Sequence, residues 1–182
     1  MEKITNETLF ELKTIAQPAV GQNQVFYLET AVNQETNTYD SAIYSIDPKT
    51  NERREWGTEA TTHNNLKVSP DEQRLSFVTT DPKKGESTLW TMPVSGGKLQ
   101  ALVTEKGLGD YFWKQDATAV YYKLAQEETV SENQDDTETT DKQKEFPEVK
   151  ATTKVNYLAD GVGFLKEKKH SIVKKTIATQ ET

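Results

Sequence analysis

The sequence of 182 residues contains no cysteine, so disulfide bonds cannot stabilise the fold, and a cytoplasmic location is predicted. No stretch approaches the roughly 18 consecutive apolar residues of a membrane-spanning helix. The first residues, Met1 to Asn6, also lack the apolar region of a signal peptide. The sequence therefore predicts a protein that is neither secreted by a signal peptide nor embedded in a membrane.

Basic charge is not in excess either. The net charge is −7, and the segment from Gln126 to Glu148 carries all of it, with nine acids against Lys142 and Lys144. Because the remainder is neutral, no basic stripe for nucleic acid is predicted. The segment 126–148 is too polar to offset its ordering entropy, so a solvated, disordered insertion is predicted there. Its aspartates lack the spacing of a calcium-binding loop, and no metal site is predicted.

Apolar residues make up only 34% of the chain, and they are concentrated in short alternating runs. The clearest unit lies between Leu66 and Thr104, where four such runs are separated by Ser69-Pro70-Asp71-Glu72, a polar gap, and Ser95-Gly96-Gly97. Proline, glycine, serine and aspartate are the residues that form tight turns. Four strands joined by tight turns in about forty residues predict an antiparallel meander of the size of one propeller blade.

This unit occurs more than once. Residues 41–58 align without a gap on residues 87–104, 46 positions later. Val25-Phe26-Tyr27 and Val120-Tyr121-Tyr122 both match Leu75-Ser76-Phe77, and His170-Ser171-Ile172-Val173 repeats the third-strand start at Ile43 and Leu89. A period of 45 to 50 residues filled with strands is typical of propeller blades, whereas a single irregular sandwich is the alternative.

The predicted fold class is all-β: a partial β-propeller of about two and a half to three four-stranded antiparallel blades in an open arc. Residues 1–58 would form a lead-in and the first blade, 59–104 the second, and 105–182 an incomplete third blade with the acidic insertion 126–148. Asp160-Gly161 predicts a tight turn. The lysines between Lys166 and Lys175 predict an edge strand, with a phosphate site as the alternative.

An incomplete ring leaves sheet faces without a neighbour. The residues expected to be exposed for this reason are Phe26, Ile43 and Ile46 at one end, and Tyr122, Ile172 and Val173 at the other. Such side chains in water each forgo roughly 1.5–3 kcal/mol of stabilisation. Self-association, or a partly molten chain, is therefore predicted.

Three motifs carry a family resemblance. V-S-P-D-E-Q-R-L-S-F-V at 68–78, L-W-T-M-P-V-S-G-G-K-L-Q-A-L-V-T at 89–104, and Y-L-A-D-G-V-G-F-L at 157–165, followed by H-S-I-V, resemble the N-terminal propeller of the prolyl oligopeptidase family. The first two motifs are common to TolB-like propellers. The resemblance covers residues 10–177 and is to the bacterial acylaminoacyl-peptidase or dipeptidyl-peptidase-like branch. The chain departs from the expected turn sequence at Gly21-Gln22-Asn23 and Gln115-Asp116-Ala117.

The resemblance implies a propeller of roughly seven blades followed by an α/β-hydrolase domain with a serine nucleophile in G-x-S-x-G. No G-x-S-x-G is present, and His63 and His170, the only histidines, are predicted to be surface or turn residues. No catalytic, cofactor-binding or metal-binding residue is predicted, and no cofactor. The implied role is the substrate-gating part of a serine peptidase (hydrolase), with this fragment inactive alone.

The implied partners are the missing propeller blades and the hydrolase domain of the same enzyme, with peptide substrates contacted indirectly. Two alternatives stay open. One is a stand-alone TolB- or WD-like propeller module that binds protein or peptide and is completed by self-association. The other is a TolB-like propeller whose relation to peptidases is only architectural. Neither alternative involves nucleic acid or a membrane.

Overall fold

The computed structural model describes residues 5, 7–57, 62–127, 158–159, 163–164 and 168–177. The chain divides into two compact units, one comprising residues 1–125 with 171–182 and the other residues 126–170. Apart from one short helix, α1 (Thr8–Glu11), the described elements are strands. The all-β prediction is therefore confirmed.

The first sheet is formed by four consecutive strands, and each pairs antiparallel with the next along the chain. These strands are β1 (Lys13–Val20), β2 (Val25–Asn33), β3 (Thr38–Ile46) and β4 (Arg53–Trp56). The turn between β3 and β4 is held by Asp47, whose Oδ1 accepts hydrogen bonds from Lys49 N and Thr50 N. Asn51 follows with φ 58°, a left-handed conformation that asparagine tolerates.

The second sheet repeats this order with β5 (Asn64–Val68), β6 (Arg74–Asp81), β7 (Glu86–Pro93) and β8 (Gln100–Lys106). The predicted turn at Ser69 to Glu72 is present between β5 and β6. Ser69 Oγ donates to Asp71 Oδ1 and accepts from Arg74 N at 2.9 Å, while Glu72 takes φ 57°. The turn residues identified in the sequence therefore do set this connection.

The third sheet has three strands within the described residues, in the order β13-β10-β9. These are β9 (Leu108–Trp113), β10 (Ala119–Glu127) and β13 (Lys168–Thr176); two short strands, β11 (Leu158–Ala159) and β12 (Gly163–Phe164), pair with each other. That antiparallel pair agrees with a turn at Asp160-Gly161, which itself lies outside the described residues. Strand β10 extends two residues into the predicted insertion; the rest of 126–148, and its predicted disorder, lie outside the described residues as well.

Two apolar cores lie between successive sheets. The core between the first and second sheets contains Ala19, Phe26, Leu28, Ile43 and Trp56 together with Leu66, Leu75, Phe77 and Met92. The core between the second and third sheets contains Val78, Leu89, Leu102 and Val103 together with Leu108, Tyr111, Val120, Tyr122, Leu124 and Ile177. The second sheet therefore contributes opposite faces to the two cores, which is how a blade packs between two neighbours.

The expectation that six residues would be left without a neighbour is wrong for four of them, Phe26, Ile43, Tyr122 and Val173. Phe26, Ile43 and Tyr122 are only 1%, 0% and 3% exposed, because each points toward the neighbouring sheet rather than away from it. Ile46 is half-buried, and Val173 packs partly against the second core. Only Ile172, at 80% exposure, stands in solvent as predicted.

The first strands of the first and second sheets each contain a β-bulge that the sequence does not signal. The register shifts between Ala16 and Ala19 in β1, and between Asn64 and Lys67 in β5. Gln17 and Asn65 take left-handed φ values of 52° and 55° at these points. Bulges re-aim a strand locally, and both of these residues bond to the following sheet.

Candidate functional site: the seams between the sheets

The seam between the first and second sheets has a buried histidine. His63, just before β5, is 4% exposed, and its backbone N donates to Ser41 Oγ of β3 at 2.7 Å. Its Nδ1 lies 2.9 Å from Ser41 O, and its ring packs edge-on against Phe77 with 5.4 Å between ring centres. Of the two predicted alternatives, a surface or a turn residue, the surface position is wrong for His63, which is buried in the connection just before β5. His170, by contrast, is exposed on β13.

Ser41 and His63 do not form a hydrolase active site. A serine nucleophile of that kind stands at a strand-to-helix turn beside a histidine that a third group orients. Ser41 Oγ does lie 3.1 Å from His63 Nδ1, but Ser41 lies within β3 and its Oγ accepts the backbone N–H of His63. Ser45 Oγ accepts from Trp56 Nε1 at 2.9 Å within the first sheet. These serines join neighbouring segments, and Ser41 lacks the strand-to-helix turn of a hydrolase nucleophile.

Acidification should weaken this seam. Burial lowers the pKa of His63 below its ordinary 6.5, although the hydrogen bond to Ser41 opposes the shift. The unfolded chain therefore takes up a proton first, so the stabilisation is complete above pH 6.5 and declines as the pH falls through the folded-state pKa. We expect the thermal midpoint to decrease between pH 7.5 and pH 5. The His63→Asn variant should lose this component, whereas a His170→Asn control should keep it; equal pH profiles for all three proteins would contradict the assignment.

The seam between the second and third sheets is built around Tyr111, which is 0% exposed. Its hydroxyl donates to Asn65 O at 2.8 Å and lies 2.7 Å from Ser76 Oγ, which also accepts from Trp113 Nε1 at 2.8 Å. Burial raises the pKa of Tyr111 well above its usual range. One buried phenol thereby satisfies the carbonyl exposed by the β5 bulge.

Lys67 adds a charged contact to the same seam. Its Nζ lies 2.9 Å from Asp110 Oδ1, donates to Tyr111 O, and lies 4.5 Å and 4.6 Å from the ring centres of Phe112 and Tyr111. Partial burial acts to raise the pKa of Asp110, but hydrogen bonds from Lys67 and from Tyr111 N hold it below its ordinary value. The seam is therefore held by a cation that faces both a carboxylate and two aromatic rings.

The face of the first sheet that points away from the second carries a network of polar and aromatic side chains beside Ile15, which is 68% exposed. Glu29, 9% exposed, accepts from Lys13 Nζ at 2.8 Å and Arg53 Nη2 at 2.6 Å. The Lys13 hydrogen bond is the main reason that the pKa of Glu29 is lowered, against the effect of burial. Tyr27 and Tyr44 stack with 5.9 Å between ring centres, and the Arg53 guanidinium lies 3.9 Å from the Tyr44 ring centre. The buried carboxylate of this face is therefore paired with basic groups of the same sheet.

The opposite end of the stack has a different surface. On the face of the third sheet opposite the second core, Phe112 and Ile172 are 63% and 80% exposed, although the Phe112 ring also meets Lys67 Nζ at the edge of the sheet. Tyr121, which pairs with Phe112 across the strands, is half-buried, and Lys123 and Lys174 are exposed. We call these five residues the open face of the third sheet.

Two concave regions lie near the turn ends of the sheets. A groove of 410 Å³ is lined by Arg74, Pro93, Lys98 and Leu99, among others, and one of 280 Å³ lies between the turn at Gly21 and Val94. Neither contains a histidine. The described part of the chain contains no cluster of three potential metal ligands, and none of its helices is long and apolar enough to span a membrane.

Comparisons with known proteins identify similar structures. No protein-family model matches the sequence, and no curated protein matches it. Among solved structures, Pyrococcus horikoshii acylaminoacyl peptidase is similar with a TM-score of 0.70 and 17% identity over 93% of this chain and 24% of that one. An acylaminoacyl peptidase in complex with Z-Gly-Gly-Phe-chloromethyl ketone gives a TM-score of 0.68 at 17% identity, with the same coverage of 93% and 24%.

A third similar structure is a propeller domain by itself. The β-propeller domain of the Trilobed protease from Pyrococcus furiosus, with an open velcro topology, has a TM-score of 0.51 and 22% identity over 61% of this chain and 33% of that one. At such identities the likeness concerns the fold, and this chain spans about a quarter (24%) of the length of the acylaminoacyl peptidases. The chain therefore has the fold of part of a β-propeller, as predicted.

Proposed function

We propose that this chain is the N-terminal propeller portion of a cytoplasmic serine peptidase of the prolyl oligopeptidase family, close to the acylaminoacyl peptidases. The observation that carries the proposal is the likeness to those enzymes over 93% of the chain. The motifs at 68–78, 89–104 and 157–165 support it independently, because they resemble the same propellers. The remaining blades and the α/β-hydrolase domain would be its partners.

The chain's own part in such an enzyme would be to restrict access to the active site. Its seams suit that role because they hold successive sheets in fixed positions. Gln17 Oε1 accepts from Leu66 N at 3.0 Å across the first seam, and Tyr111 OH donates to Asn65 O across the second. A rigid wall of this kind excludes bulky substrates without contributing a catalytic group.

We therefore expect that the purified chain does not hydrolyse acyl-peptide or aminoacyl chromogenic substrates. Nucleophile, base and oxyanion hole are the parts that acyl transfer needs, and no described residues assemble them. The measurement is a chromogenic assay over a dilution series, with the Ser41→Ala variant as the control. Turnover that copurifies with the chain and disappears in that variant would contradict the expectation.

Sequencing the coding region downstream of Thr182 tests the proposal directly. An in-frame continuation through further strand repeats to G-x-S-x-G would support it. The second candidate is a stand-alone propeller module for protein or peptide binding that is completed by self-association. The exposed Phe112 and Ile172 favour this candidate to the extent that they offer an apolar surface. A downstream stop codon, with stable oligomers in solution, would favour the module instead.

A further inference from the structure

The open face of the third sheet is the third copy of a face that is buried in both preceding sheets. The sequence repeat aligns Tyr121, Lys123, Ile172 and Lys174 with Ser76, Val78, Leu89 and Thr91, and with Phe26, Leu28, Ile43 and Ser45. All eight of the earlier residues are at most 4% exposed, because the next sheet packs on them. Ile172, at 80% exposure, occupies the position at which Ile43 and Leu89 are fully buried.

The chemistry of this third copy differs from that of the first two. Lys123 replaces the aliphatic Leu28 and Val78, and Lys174 replaces the small hydroxyl residues Ser45 and Thr91. An ammonium group that is buried without an acid costs several kcal/mol, so whatever covers this face must bring carboxylates to the two lysines. A covering sheet with the apolar face that the second sheet presents to the first would leave both ammonium groups unpaired.

We propose that the open face of the third sheet is a docking surface for a further propeller blade that carries acidic residues opposite Lys123 and Lys174. The inference rests on the proposed function for the existence of such a blade, and it adds which surface receives the blade and how that surface selects it. Tyr121, Phe112 and Ile172 supply the apolar contact, as Phe26 and Ile43 do at the first seam and Leu89 does at the second. The two lysines supply the selection, because they penalise a blade without acids.

The first sheet of a second copy exposes Ile15 on its outward face, but the charged groups of that face make it a poor occupant. Its outward face presents Glu29, but that carboxylate is already engaged by Lys13 and Arg53. Glu55 is likewise engaged, by the hydroxyl of Tyr44 at 3.1 Å. A head-to-tail contact between copies would have to break these pairs to reach Lys123 and Lys174, whereas a blade with unengaged acids would not.

The test uses the full chain extended at its C-terminus by a second copy of residues 62–106. The face of this copy that would meet the third sheet is the apolar one with Leu66, Leu75, Phe77 and Met92. On the native face we expect no docking, so amide exchange at Tyr121 and Ile172 should match that of the unextended chain. In a Lys123→Val/Lys174→Thr variant, which restores the residues of the preceding repeat, exchange should slow by about tenfold or more. Adding Ile172→Lys should abolish that protection, whereas adding Ile15→Lys, at an isoleucine 68% exposed on β1, should not.

Each other result overturns the proposal. Equal protection on the native and substituted faces would show that the lysines do not select the partner. Protection on neither face would show that the surface does not receive a blade of this repeat. Sedimentation of the unextended chain as a dimer that Ile172→Lys dissociates would make a second copy the occupant. The appended sheet comes from this chain and not from the downstream coding region. A failure of the docking proposal therefore does not affect the test of the proposed function by downstream sequencing.

Discussion

The Tyr111→Ala variant should lose about 3–5 kcal/mol of the free energy of unfolding, the cost of deleting a large buried aromatic side chain. Tyr111 is 0% exposed, fills the seam between the second and third sheets, and bonds to Asn65 and Ser76 there. Since whole domains are stable by only about 5–15 kcal/mol, this single change should leave the chain close to unfolding at room temperature.

Tyr111→Phe separates the hydroxyl from the ring. It should cost about 1–3 kcal/mol, because the buried Asn65 carbonyl then lacks its side-chain donor. Urea denaturation followed by tryptophan fluorescence measures both variants. The control is Tyr39→Ala, at a tyrosine that is 69% exposed on β3, where a change within about 0.5 kcal/mol is expected. If Tyr111→Ala were no more costly than Tyr39→Ala, the second seam would not be the packed interface described above.

Alanine at three repeat-equivalent positions should have very unequal effects. Ile43→Ala and Leu89→Ala should each cost about 2–5 kcal/mol, because both side chains are 0% exposed and lie in a seam. Ile172→Ala should change the stability by less than about 0.5 kcal/mol, because no sheet covers it. The three variants remove similar side chains from the same place in the repeat, so each serves as the control for the others.

Urea midpoints at two protein concentrations measure this comparison. A large loss for Ile172→Ala at high concentration alone would mean that copies of the chain cover that face. A large loss at both concentrations would mean that another part of the same chain covers it. Either result would contradict an open face in the monomer.

The repeat could be predicted from the sequence, but the direction in which each face points could not. Alternation shows that Leu89 and Thr91 share one side of a strand, and both are buried together as that pattern indicates. It does not show which side meets the next sheet. For that reason the sequence predicts an unpaired face for Phe26 and Ile43, although both lie in a seam. The same prediction is right for Ile172, because its face is free in the described structure.

Contacts across the seams were also beyond the reach of the sequence. His63 looks like a loop residue, and only the approach of Ser41, 22 positions away, buries it. Gln17 and Asn65 have a left-handed φ, which a glycine at these positions would have suggested in the sequence. Both residues also form a hydrogen bond to the next sheet. The seam serines could have been suspected, since polar residues at positions that alternation places in the core require partners.

All four strands of the first sheet come from one uninterrupted stretch, Lys13 to Trp56, and its outward face satisfies its own charges. During synthesis this sheet can therefore form as soon as Trp56 has left the ribosome, without waiting for a strand made later. The second sheet then has a finished surface on which to fold, and the third has the second. In the first two sheets this order avoids pairing between distant parts of the chain, which is the slow and aggregation-prone step for many β-proteins. Only the third sheet needs such a step among the described strands, because β10 pairs with β13.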